Sequence, residues 1–110
     1  MTDKRIVLTT TGSEEEARKI ARHVVEQQLA ACVNVISHVE SVYRWQGKVE
    51  SNKEWLLLIK TSTEKFPAVR DAVRALHSYQ LPECVSISID DGSAEYLEWL
   101  ADSLGGESTP

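Results

Sequence analysis

Hydrophobic positions recur with two different periods along this chain, and the change of period predicts a mixed α and β protein. The stretch Lys4 to Thr11, built around Ile6-Val-Leu8, predicts a first strand. Gly12 interrupts it, and Ser13-x-x-Glu16 has the spacing of a capping box, which begins a helix. Apolar residues then recur every three or four positions to about Gln28, which predicts an amphipathic helix.

The middle of the chain predicts one long hairpin. Ala31 to Trp45 alternates with period two, Gln46-Gly47 provides a tight turn, and Lys48 to Thr61 runs back. The run Trp55-Leu-Leu-Leu-Ile59 is apolar on both faces, so both faces need cover, and helices of one chain cover only one. Arms of about 14 residues would reach about 45 Å. We therefore expect the hairpin to bend or to project onto a neighbouring chain.

The remaining elements complete a recognisable order. Ser62 or Thr63 is expected to cap a second helix with Pro67 in its first turn. Glu83 to Asp90 predicts a last strand, and a third helix should follow and end at Gly105-Gly106. The order βαββαβ plus a C-terminal helix predicts the α+β class, with one antiparallel ferredoxin-like sheet. We expect residues 1–110 to form one domain, with residues 107–110 a loose tail.

Charge and composition argue against several classes of function. The 110 residues are 42% hydrophobic and 26% charged, with a formal charge of −5. This balance argues against a nucleic-acid partner, which needs clustered Lys and Arg, and against docking on an anionic membrane. The chain shows neither a membrane-spanning apolar run nor a signal-peptide core, so we expect a cytoplasmic protein. Cys32 and Cys84 are expected to be buried, reduced thiols, with metal ligation or redox chemistry as alternatives.

Several gapped motifs occur together, and in this order the chain resembles the CutA family of divalent-cation tolerance proteins. The motifs are Leu29-Ala-Ala-Cys-Val-Asn-Val35, Ser41-x-Tyr-x-Trp-x-Gly-Lys-x-Glu50, Glu54, Leu58-Ile-Lys-Thr61, His77-x-Tyr-x-x-Pro-Glu83 and Tyr96-Leu-x-Trp99. The resemblance covers nearly all of residues 4–104. It implies a homotrimer of ferredoxin-like subunits whose long hairpins join neighbouring sheets edge to edge, which would also protect the sheet edges.

The resemblance implies a binding protein and not an enzyme. Family members are associated with metal tolerance, some with copper binding and some with anchoring of a protein partner. The expected function is therefore that of a trimeric protein that responds to a metal ion or a small molecule. The first alternative is a structural or partner-docking trimer, which resembles the PII signalling proteins in its build. The second is an enzyme with a site between subunits.

The family's proposed copper ligands are only partly present. Aligning the motifs puts Thr9 where the family has a Cys, and Leu76 and His77 where it has two adjacent His. Thr and Leu cannot replace thiolate and imidazole for such a metal. We therefore expect His77 alone to contribute, giving weak and non-selective binding of divalent ions, with Cu²⁺ ahead of Zn²⁺.

A second candidate site gathers aromatic and charged residues around the hairpin. It comprises eight residues: Tyr43, Trp45, Lys48, Glu50, Glu54, Lys60, Tyr79 and Glu83. One interpretation is a ligand pocket between subunits, in which aromatics form an apolar wall and Lys and Glu fix a polar ligand. The other is that the aromatics anchor the trimer while the charges pair across it. Glu50 and Glu54 offer an acid/base pair, but no nucleophile–base constellation accompanies them.

Overall fold

The computed structural model describes residues 2–105, so the predicted loose tail and Gly106 lie outside the described residues. Within that range the chain forms the predicted order of elements, an α+β fold with one antiparallel sheet. The elements are β1 (Lys4–Thr11), α1 (Glu14–Glu26), β2 (Cys32–Trp45), β3 (Lys48–Ser62), α2 (Phe66–Leu76), β4 (Val85–Ser88) and α3 (Ala94–Ser103).

The four strands lie in the order β2-β3-β1-β4, which places β3 and β1 at the centre of the sheet. This is the order of a ferredoxin-like sheet and confirms the predicted topology. β1 pairs with β3 from Lys4↔Ser62 to Thr11↔Trp55, and with β4 from Arg5↔Ser88 to Leu8↔Val85. β2 and β4 are therefore the two edges of the sheet.

The hydrophobic core lies between α1, α2 and one face of this sheet. Ser13 caps α1 as predicted, since its side chain accepts a hydrogen bond from the Glu16 N–H. Ile20 and Val24 of α1 are fully buried beside Leu57 and Ile59 of β3. Burial of such side chains stabilises the fold by about 1.5–3 kcal/mol each.

The second face of β3 is only partly covered by this chain, as its two-sided apolar pattern predicted. Leu56 and Leu58 are half-buried, and their apolar partners Ile36 and Leu8 extend this surface to the strands on either side. Ile36, Val85 and Ile87 on this face are 42%, 48% and 51% exposed. An exposed apolar face of this kind is typical of a protein interface.

The hairpin both bends and projects. Between Ile36 and Val39 the register of β2 shifts against β3, and His38 has a φ of 60°. Such a bulge adds a residue to one strand and bends it. β1 pairs with β3 only up to Trp55, so the half beyond the bulge has no other strand beside it within the described part of the chain. The molecule is consequently 52 Å long but only 25 and 22 Å across.

Two predicted boundaries were wrong. Lys65, not Ser62 or Thr63, is the residue before α2, and no side chain caps that helix. The Ser62 hydroxyl instead accepts a hydrogen bond from the Lys65 N–H at 3.1 Å, which closes the turn between strand and helix. β4 is also shorter than predicted, because the preceding residues up to Cys84 form the loop that follows α2.

We expect Val24→Ala to lower the free energy of unfolding by about 1–3 kcal/mol, because it removes two methyl groups from a filled core. Val25→Ala is the matched control, since Val25 is adjacent on the same helix but 39% exposed. Both changes bring the same gain in helix propensity, so their difference isolates burial. Chemical denaturation of the two variants measures it, and equal midpoints would contradict this account of the core.

Candidate functional site

A cavity of about 750 Å³ opens where the projecting half of the hairpin meets the loop between α2 and β4. Its size is that of a small-molecule site. Twelve residues from β1, the hairpin and the loop line it: Thr10, Ser41, Val42, Tyr43, Trp45, Asn52, Glu54, Tyr79, Gln80, Leu81, Pro82 and Glu83.

The hairpin forms one wall of the cavity, and the strand period and the register of the hairpin decide which of its side chains lie in that wall. Ser41, Tyr43 and Trp45 alternate along β2, so their side chains share one face. Ser41 pairs with Asn52 across the ladder, which brings the β3 residues of the wall alongside. The hairpin closes through Gln46 and Gly47, both with positive φ, as a two-residue turn of this hand requires.

The floor of the cavity contains a buried carboxylate held by a tyrosine. Glu54 is 5% exposed, and the Tyr79 hydroxyl donates to its Oε2 at 2.6 Å. Burial, together with this hydrogen bond and the Glu54 charge, raises the pKa of Tyr79 above its ordinary value of 10. Tyr79 therefore stays protonated and remains a donor. A Cβ at position 12 would lie only 3.0 Å from the Tyr79 hydroxyl oxygen, so the close approach of Tyr79 favours glycine there.

A second carboxylate lies at the rim. Glu83 is an exposed residue, but partial burial raises the pKa of its carboxyl, and the nearby charge of Glu54 raises it further. Within residues 2–105, neither Glu54 nor Glu83 forms an ion pair. Two carboxylates therefore share one partly apolar cavity, and residues 2–105 of the same chain place no cationic side chain among the lining residues.

The structure brings together five of the eight residues predicted for this site, namely Tyr43, Trp45, Glu54, Tyr79 and Glu83. The other three lie elsewhere in this chain. Lys48 and Glu50 are exposed near the hairpin tip and do not line the cavity. Lys60 lies in the part of β3 that pairs with Ile6 and Cys32, and its Nζ contacts the Tyr96 hydroxyl at 3.3 Å.

Seven lining residues were not predicted. Ser41 and Asn52 could have been found from the sequence, because the two-residue turn fixes the ladder and the strand period fixes the face. Thr10, Val42, Gln80, Leu81 and Pro82 carry no comparable signal. Their place depends on how the loop folds back over the hairpin.

His77 is part of the structural framework of the site. Its imidazole is fully buried, and its Nε2 donates to the Thr10 carbonyl oxygen at 2.6 Å. Its Nδ1 accepts from the Tyr79 N–H at 3.1 Å. In a neutral imidazole these two bonds place the proton on Nε2, and the Glu16 carboxylate lies 3.5 Å from Nδ1. Both nitrogens are thus occupied in orienting the loop, and Tyr79 with it.

These contacts do not fit the copper site that the family resemblance suggested. Thr9 is fully buried on the core face of β1, and Leu76 ends α2. No group of three His, Cys, Asp or Glu close enough to hold a metal ion occurs in the described part of the chain. Weak binding of divalent ions through His77 stays a prediction, and it requires the imidazole to give up a protein hydrogen bond.

The two cysteines lie at opposite edges of the sheet, as the predicted topology required. Cys32 begins β2 and Cys84 immediately precedes β4, and both are free, half-buried thiols. Burial raises the pKa of Cys84, which keeps that thiol in its less reactive protonated form. Because a whole sheet separates them, they form neither a disulfide nor a shared metal site within residues 2–105 of one chain.

Comparison with known sequences confirms the family that the motifs indicated. The family model described as "CutA1 divalent ion tolerance protein" matches residues 5–103. The "Divalent-cation tolerance protein CutA" of Thermus thermophilus is 49% identical over 102 residues, covering 93% of this chain and 99% of that protein. "Protein CutA, chloroplastic" of Arabidopsis thaliana is 43% identical over 89% of this chain. The chain spans only 54% of that plant protein.

Solved structures share the fold. A "Divalent cation tolerance protein (Cut A1)" from Thermus thermophilus aligns with a TM-score of 0.89 and 49% identity, covering 91% of this chain and 97% of its own. The "Periplasmic divalent cation tolerance protein CutA" from Archaeoglobus fulgidus aligns with a TM-score of 0.89 and 40% identity, covering 92% of this chain and 98% of its own. Relatives are thus described as chloroplastic and as periplasmic, and the cytoplasmic location expected for this chain stays a prediction.

A membrane-spanning helix does not occur between residues 2 and 105, because each helix there is too short or too polar to cross a bilayer.

We expect Tyr79→Phe to lower the free energy of unfolding by about 1–3 kcal/mol, because it leaves the buried Glu54 carboxylate without its hydrogen-bond donor. Tyr96→Phe is the matched control: Tyr96 is 41% exposed, so its change should stay within about 0.5 kcal/mol. Urea denaturation at pH 7 measures both. Equal stability of the two variants would show that the Glu54–Tyr79 bond contributes little.

Proposed function

The chain belongs to the CutA1 family of divalent ion tolerance proteins, and from that premise we propose that it is a non-enzymatic binding protein whose ligand site is the hairpin cavity. The observation that carries this proposal is the composition of the cavity. It combines aromatic walls with a buried, hydrogen-bonded carboxylate in about 750 Å³. Ligand sites typically consist of an apolar wall with a few fixed polar groups.

Binding suits this site better than catalysis. Tyr79 is held protonated, and its hydrogen bond to Glu54 keeps that carboxylate turned toward a fixed donor. The Tyr79 hydroxyl lies within reach of the Glu54 carboxylate, but its raised pKa makes it a poor nucleophile. The acid/base pair considered from the sequence, Glu50 and Glu54, is not assembled in one chain, because Glu50 lies outside the cavity.

We also propose that the protein is a homotrimer in which the cavity lies near a subunit boundary. The exposed apolar residues Ile36, Val85 and Ile87 share the second face of the sheet, and covering them on three symmetric copies would complete its burial. The projecting half of the hairpin has unpaired edges that a second chain can pair with. A trimer that only docks a partner, without a ligand, is the alternative.

We expect native mass spectrometry to show one species of about 37 kDa, three times the 12.3 kDa chain. The trimer should persist at micromolar concentration, because a large apolar interface leaves no stable folded monomer. Ile87→Glu, which places a charge on the second face, should dissociate it, whereas Val25→Glu at an exposed position of α1 should not. A folded 12.3 kDa species of the unaltered protein would contradict the proposal.

The ligand site is tested by screening a chemically diverse fragment library with saturation-transfer NMR. We expect fragments that bind the unaltered protein to lose binding to Ser41→Trp, in which the new side chain fills the cavity. Ser51→Trp is the matched control, since Ser51 lies on the same hairpin but does not line the cavity. Native mass spectrometry verifies that both variants keep the subunit number of the unaltered protein. Fragments that bind Ser41→Trp as well as the unaltered protein, or a library without a hit, would contradict the proposed site.

A further inference from the structure

The charge balance of the cavity is one-sided. Two of its lining residues are carboxylic acids, Glu54 and Glu83, and the described lining residues include neither Lys, Arg nor His. The lysines that the sequence had suggested for the site, Lys48 and Lys60, lie outside the cavity of their own chain. A carboxylate in an apolar setting is costly unless a positive charge or several donors accompany it. Glu54 has one such donor, the Tyr79 hydroxyl.

The aromatic walls add to this preference. Tyr43 and Trp45 lie on the hairpin side of the cavity, and Tyr79 lies on the loop side. The face of an aromatic ring carries partial negative charge and attracts a cation that has been removed from water. Carboxylates and aromatic side chains therefore line the same space, together with the apolar Val42, Leu81 and Pro82.

We propose that this cavity binds an organic cation, a primary ammonium group attached to an apolar body. The ammonium lies between the Glu54 and Glu83 carboxylates, where its three N–H groups find acceptors, and the body lies between the aromatic rings. This inference rests on the proposed function, because it names the class of ligand for the same site.

A bare metal ion fits the cavity less well than an organic cation. A hard divalent ion takes about six or more oxygen ligands, preferably charged ones. Only two of the twelve lining residues are carboxylates, and Thr10, Ser41, Asn52 and Gln80 add neutral polar groups. The described residues hold no cluster of three metal-ligating side chains. A volume of about 750 Å³ also exceeds what an ion needs and is that of a small-molecule site.

The test compares three probes of one shape and different charge: 2-phenylethylammonium, 2-phenylethanol and phenylacetate. Each is titrated into the unaltered protein at pH 7.5, and its affinity is read from ¹H–¹⁵N chemical shifts. We expect the cation to bind about tenfold or more tightly than the alcohol, with shifts centred on residues 79–83, and the anion to bind least. Mg²⁺ and Cu²⁺ chlorides form a separate arm that tests the metal alone.

Glu83→Gln should weaken binding of the cation about fivefold or more and leave binding of the alcohol unchanged, because only the cation uses the charge. Glu40→Gln is the matched control: Glu40 lies on the same hairpin and bonds the Ser51 hydroxyl outside the cavity. It removes the same charge from the chain. Equal losses of cation affinity in both variants would therefore indicate an effect of overall charge and overturn the proposal.

The outcomes distinguish failure of the ammonium proposal from failure of the proposed ligand site. If the alcohol or the anion binds as tightly as the cation, the ammonium proposal is overturned, while the cavity remains a ligand site. If Mg²⁺ or Cu²⁺ binds there and displaces the ammonium probe at lower concentration, the ligand is a metal ion and the proposal is wrong. If the ammonium probe does not bind at 10 mM, the proposal is overturned, and the fragment screen then decides the proposed function independently.

Discussion

The position of β3 between two strands is the constraint on which the rest of this structure depends. Its second half must pair with β1 on one side and β2 on the other, while Leu57 and Ile59 fill the core. A one-residue slip would turn both side chains to the opposite face. This burial fixes the register of the whole sheet, and the register in turn determines where the first half of β3 leaves it.

The cavity forms where the first half of β3 leaves the sheet. Beyond Trp55 the hairpin has no third strand beside it in residues 2–105, and the bulge before Val39 bends it. A space remains between the ribbon and the loop that follows α2. His77 holds this loop to β1 through the Thr10 carbonyl oxygen, and the Tyr79 hydroxyl reaches across to Glu54. The space is therefore framed by hydrogen bonds that do not depend on a ligand.

The electrostatics of the cavity differ from those of an ordinary surface cleft. Glu54 is buried but not paired with a cation among the described residues, and its charge adds to the burial of Glu83 in raising the pKa of that second acid. Such an arrangement makes little contribution to the stability of the free chain, since unpaired carboxylates in apolar surroundings are costly. Sites that bind ligands commonly keep such polar groups because the ligand completes them. A buried carboxylate without a cationic partner in the described part of the chain is thus the physical link between this fold and a binding role.

The sequence by itself determined the kinds of element and their order, because strand and helix periods depend on neighbours only a few residues apart. It also located the Gln46-Gly47 turn and the two-sided apolar run of β3, and the family motifs identified the relatives. Only the tertiary structure decided which charged residues meet. Glu54 and Tyr79 are 25 positions apart and form one hydrogen bond, whereas Lys60, six positions from Glu54, lies in another part of the sheet. Contacts of this kind depend on a register shift, a bend and a loop held from a distance, and a local pattern contains none of these.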